Sequence, residues 1–96
     1  MDTSQMEQAW LEAVGARLVG SGPALAPPAD AEVRSLLRVT KVTADATGVR
    51  YLAPLTSYLI GRAAGRAEAT GGSFDLRAAV DAISELAAGW EPAPEG

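Results

Sequence analysis

Ninety-six residues make one domain, and at this size a chain buries roughly 60–70% of the surface its unfolded form exposes, enough for one modest core. The chain has no cysteine and no histidine, which excludes disulfides, thiolate or imidazole metal ligation, and Ser-His or Cys-His nucleophile pairs. A net charge of −4 argues against general nucleic-acid binding, which needs a dominant basic field.

That charge is unevenly spread. Residues 34–66 carry Arg34, Arg38, Lys41, Arg50, Arg62 and Arg66 against Asp45, a net +5. The remainder has two arginines against eleven carboxylates, a net −9. Apolar residues reach 48%, but much of this is alanine, with five aromatic side chains in all. Such content favours helix over strand and a thin, closely spaced core. The acidic, polar amino terminus does not read as a signal peptide, so a cytoplasmic protein is expected.

In chain order, Ser4 to Glu7 reads as a capping box. Met6, Trp10, Val14 and Leu18 then mark a first helix over about 5–18, ended at Gly20-Ser21-Gly22-Pro23. A Pro-containing connection follows, with Leu25 expected to tuck inward. Asp30 is read as the N-cap of the second helix, unless Pro27 or Pro28 begins it a turn earlier, and the helix ends at Gly48 in the left-handed conformation. Its apolar side holds Val33, Leu36, Leu37 and Val39, with Arg34, Arg38 and Lys41 opposite. Thr40, Thr43 and Thr47 read as packing residues that bond back to their own helix carbonyls.

Pro54 fits the first turn of a third helix, about 54–68, on which Leu55, Tyr58, Leu59 and Arg62 share one face. Ile60, Ala63, Ala64 and Ala67 lie on adjoining faces. A helix apolar around so much of its girth is expected at the centre of a bundle. Gly61 and Gly65 each cost about 1 kcal/mol relative to alanine in a helix interior, which suggests close helix–helix contact in return. The uncharged run 51–61 is far short of the ~20 residues a bilayer needs.

After a break at 69–72, Ser73 or Asp75 caps a last helix, whose buried stripe is predicted as Leu76, Ala79, Val80, Ile83, Leu86, Ala87 and Trp90. The predicted fold is therefore all-α, a small four-helix bundle over 1–90 with the third helix central, followed by a disordered acidic, Pro-rich tail over 91–96.

Candidate chemistry is sparse. Arg34, Arg38, Arg62 and Arg66 are the one constellation that could grip an anionic cofactor or nucleotide, since paired arginines suit phosphate or carboxylate. The favoured alternative is a solvated face whose Arg and Lys pair with acids of neighbouring helices. Arg77, Asp81 and Glu85 form a surface ladder in which nothing desolvates either carboxylate as a general acid requires. Trp10 and Trp90, and likewise Tyr51 and Tyr58, are expected in the core; exposed, they would be anchors for a partner.

Trp10-Leu11 on the first helix, Ala53-Pro54-Leu55-Thr56, then Leu59, Gly61 and Ala63-Ala64-Gly65 are similar to a small bacterial domain of unknown function. Members of that family occur free-standing and appended to the nucleotidyltransferases that make guanylated molybdenum cofactor. One departure concerns a histidine common near the end of the family's second helix, where this chain has Asp45, with one residue more before Pro54. No role of that histidine carries over. The resemblance implies helices and an association with molybdenum-cofactor metabolism.

The leading expectation is a non-catalytic accessory or protein-interaction module beside molybdenum-cofactor proteins or molybdoenzymes such as formate dehydrogenase. A protein partner, either a second copy or such an enzyme, is expected, with no nucleic acid, membrane, metal or cofactor. The alternative is a small binder of an anionic ligand through the four arginines.

Overall fold

A computed structural model describes residues 2–91. They form four helices and, among the described residues, no strand: α1 (Thr3–Val19), α2 (Asp30–Thr47), α3 (Leu52–Ala69) and α4 (Leu76–Ala88). The fold is the expected all-α, four-helix one. Of the predicted tail at 91–96, all but Glu91 lies outside the described residues.

Helix ends follow the local chemistry, with two shifts: the N-cap of α2 is Ala29 and Asp30 is the first helical residue instead of the cap, and the cap of α1 also moves. The capping box at α1 is Asp2 with Gln5, not Ser4 with Glu7. Asp2 Oδ1 accepts from the Gln5 amide at 2.8 Å, and Gln5 Oε1 accepts from the Asp2 amide at 2.9 Å. The same reciprocal geometry was available two residues earlier with a carboxylate acceptor, so the helix starts there. At α2, Glu32 Oε1 reaches back to the Ala29 amide at 2.9 Å. Gly48 closes α2 with φ 69°, the left-handed conformation that glycine adopts without steric cost. Thr47 clamps the same corner, donating to the Thr43 carbonyl at 2.8 Å and accepting from the Val49 amide at 3.1 Å. This short connection makes α2 and α3 neighbours. Pro54 sits in the first turn of α3, where its missing N–H leaves nothing unsatisfied. Of the two caps predicted for α4, Asp75 is the one used, accepting from the Ala78 amide at 3.0 Å.

The core is as thin as the composition implied. Val39 of α2 and Val80 of α4 are fully buried and cluster with Ile60 of α3. Val42, Phe74, Leu76 and Ile83 surround them, half-buried. The central helix is α2, not α3. It packs on α4 along one side and α3 along another, while α3 and α4 barely meet. On α3 the inward face is Ala53, Ile60, Ala64 and Ala67, and the face of Leu55, Tyr58, Leu59 and Arg62 turns to solvent. Apart from Ile60, the residues that face α2 are alanines, and the leucines and tyrosine turn outward, which reverses the orientation expected from side-chain size. Gly61 and Gly65 also contradict close packing, since a Cβ at either would meet open space.

Among the described residues, α1 stands apart and packs on none of the other helices. It rests on its own connection. The Leu25 amide donates to the Gly15 carbonyl at 3.2 Å, and Gly15 is buried because the Leu25 backbone presses on it. Leu25 thus binds by its backbone, and its side chain is not tucked inward as predicted but exposed. The molecule is correspondingly extended, 49 × 38 × 25 Å with a radius of gyration of 15.5 Å, against about 12.5 Å for a compact domain of this length.

Two substitutions follow from this packing. Val39→Ala opens a cavity at the junction of three helices and lowers stability by about 2 kcal/mol in chemical denaturation. Gly61→Ala fills open space on a helix, raises stability by about 1 kcal/mol, and lifts the melting temperature by roughly 4–8 °C.

Candidate functional site

Because α3 and α4 diverge from α2, an apolar groove opens between them, with a volume of about 580 Å³. Its floor is α2, through Thr43, Ala46 and Thr47. One wall is α3, with Leu59, Ile60 and Ala63. The other is α4, with Ile83, Leu86 and Ala87, and Trp90 stands beyond its end. The groove exists because its floor and walls include alanines, whose methyl groups cannot span the gap. Large side chains frame it yet remain open to solvent, Leu59 at 61% and Leu86 at 60% exposure.

Two of the three threonine hydroxyls that line the groove are already engaged. Thr47 donates to the Thr43 carbonyl, and Thr56 donates to the Leu52 carbonyl at 2.8 Å. The bond of Thr47 is the intrahelical one expected of it, and Thr40 makes another, to the Leu37 carbonyl at 2.7 Å, while that of Thr56 was not among those expected. A pocket for a polar metabolite places a few convergent donors and acceptors to fix orientation. This groove offers mostly methyl, methylene and ring surface, which suits the apolar side of a helix.

The four candidate arginines have separate surroundings. Arg38 pairs with Asp81 of α4 at 2.9 Å and donates to the Ser84 hydroxyl at 3.2 Å. Arg62 lies over the Tyr58 ring, 5.8 Å from its centroid, a cation–π contact on its own helix. Arg34 and Arg66 are exposed, on α2 and α3 respectively. Lys41 pairs with Asp45 four residues on, at 3.6 Å. The arrangement resembles a solvated charged face crossed by one interhelical bridge. Asp81 belongs to that bridge, so the ladder of Arg77, Asp81 and Glu85 is tied to α2. Among the described residues no acidic cluster could hold a metal ion.

The aromatic residues depart most from expectation. Trp10, Tyr51, Tyr58 and Trp90 were expected in the core, and all are exposed, Trp10 to 65%. The core is too narrow for rings of this size; its fully buried side chains are valines. Phe74 is the aromatic residue that packs against it. The groove is not apparent from the sequence, where Leu59, Leu86 and Trp90 read as core residues. The available signal was a shortage of large apolar residues opposite them, where Ala46, Ala63 and Ala87 stand instead.

A family model described as "Domain of unknown function (DUF6457)" matches residues 2–95. No curated protein and no solved structure matches the chain.

The charged face contributes little to stability. Arg38 and Asp81 are each about half exposed, so Arg38→Ala costs less than about 1 kcal/mol in denaturant unfolding. The groove is the accessible apolar site, so an apolar fluorescent dye binds the folded protein, and Leu59→Glu weakens that binding with no loss of helical circular dichroism.

Proposed function

The chain belongs to the DUF6457 family, and we propose that it acts as a non-catalytic protein-interaction module whose α2–α3–α4 groove receives an apolar helix. The observation that carries this reading is the groove itself, apolar, open along its length and framed by exposed Leu59 and Leu86. Helix-in-groove recognition uses such a surface, with large side chains inserted at three- and four-residue intervals. Exposed Trp90 at the groove's end and Tyr58 on the neighbouring face add the residue types that dominate binding energy at interfaces.

The sequence resemblance supplies the setting: a cytoplasmic accessory role beside molybdenum-cofactor biosynthesis or molybdoenzymes such as formate dehydrogenase. No helix among the described residues is long and apolar enough to cross a membrane, which fits that setting. An anion-binding role for Arg34, Arg38, Arg62 and Arg66 ranks second. Its best-placed guanidinium, Arg38, would have to surrender Asp81 and Ser84 to accept a ligand.

Affinity capture from the native cells tests the reading. The wild-type chain retains a molybdenum-cofactor protein, and Leu59→Glu loses it. Equal retention by both chains would remove the groove from the interaction. GTP or a pterin phosphate leaves the melting temperature unchanged; a rise of several degrees that Arg62→Ala abolishes would favour the anion-binding reading instead.

A further inference from the structure

Two unsatisfied surfaces lie on one chain. The groove is the first. The second is the side of α1 opposite Gly15, where Met6, Trp10 and Ala13 follow one another at helical spacing. Met6 and Trp10 are 57% and 65% exposed, and no other helix covers them. We propose that this face of α1 docks in the groove of a second copy of the chain, which inserts its own α1 in return. The proposal rests on the groove being a helix-docking site and names the helix that fills it.

Three observations select a second copy. The first is area. The accessible surface is 7560 Å², where a folded monomer of 9.8 kDa exposes about 5,200 Å². The excess of roughly 2,400 Å² per chain is what an obligate homodimer, burying 2,000–5,000 Å² in total, removes from water. The second is charge. α1 and its cap carry Asp2, Glu7 and Glu12 against Arg17, a net −2, whereas α3 and the Arg50 before it carry Arg50, Arg62 and Arg66 against Glu68, a net +2. The acidic helix of one copy therefore meets the basic wall of the other, which assists encounter and sets orientation.

The third is reach. Residues 20–29 join α1 to α2, and this connection holds α1 away from its own bundle. The Leu25–Gly15 bond ties it to α1, and Pro23, Pro27 and Pro28 restrict its backbone. Folding back into its own groove would require that connection to rearrange. Exchange between copies keeps it and uses each groove once, giving a closed two-fold pair. The dimensions agree, since α1, at 17 residues, and the α3 wall, at 18, are both about 25 Å long.

Complementation provides the test. The wild-type chain sediments at twice the monomer mass. Trp10→Glu spoils the inserted helix and Leu59→Glu spoils the groove. Each alone spoils both junctions of the two-fold pair and raises the dimer dissociation constant by at least about thirtyfold for each junction, the effect of losing one hot spot at each. Mixing the two leaves one intact junction, so the mixture associates more tightly than either variant alone. Both substituted residues are exposed, so helical circular dichroism stays unchanged; Leu86→Glu on the opposite wall serves as a second groove variant. A wild-type chain that remains monomeric at millimolar concentration would overturn the exchange. So would a mixture no more associated than its components where the wild type is fully dimeric. If either occurs while Leu59→Glu still loses a captured partner protein, the docking reading stands and only the identity of the helix falls.

Discussion

Everything in this fold depends on the contact of three β-branched side chains, Val39, Ile60 and Val80, one from each of α2, α3 and α4. Their burial is the main gain available to a chain with so few large apolar residues inside. Because Val39 and its neighbours reach toward both flanking helices, α2 becomes the spine. α3 and α4 lean on it separately and hardly touch each other. A core this narrow cannot also fill the space between the two leaning helices.

The groove is the consequence. Alanines on all three helices allow the backbones to approach at Val39 and leave a trough where the helices part. The large apolar residues that would plug it in a self-contained bundle stand along its edges and face water. α1, which in a compact four-helix bundle would cover such a trough, is instead fixed to its own connection through Gly15 and Leu25. One chain thus carries an uncovered apolar trough and an uncovered apolar helix. The proposed association rests on these two exposures.

The sequence was explicit about local structure. The residue types at Gly48, Pro54 and Asp75 announce a left-handed corner, a first helical turn and an N-cap, and each occurs where predicted. The threonine hydroxyls were also legible, because a side-chain bond to one's own helix is a local event. Which face of α3 points inward was not legible. That helix has leucine and tyrosine on one side and alanine with Ile60 on the other, and size alone favoured the wrong one. The outcome was set by α2, where bulk at Val39 and Thr43 pairs better with alanines opposite, and this depends on residues distant in sequence. The groove escaped notice for the same reason, since periodicity marks a side as apolar but does not say whether anything covers it. The arginines were legible as a charged face, but Arg38's partner on α4 could not be read without the helix packing.

The most direct test of α2 as the spine is amide hydrogen exchange in the Trp10→Glu chain, the variant designed to suppress the proposed association. The slowest amides are expected in the middle of α2, around Val39 to Thr43, and beside Ile60 and Val80, all exchanging only through global unfolding. Amides of α1 are expected to exchange far faster, through local opening that leaves the other three helices intact. Protection of α1 equal to that of α2, or slowest exchange in α3 with α2 fraying, would contradict the account.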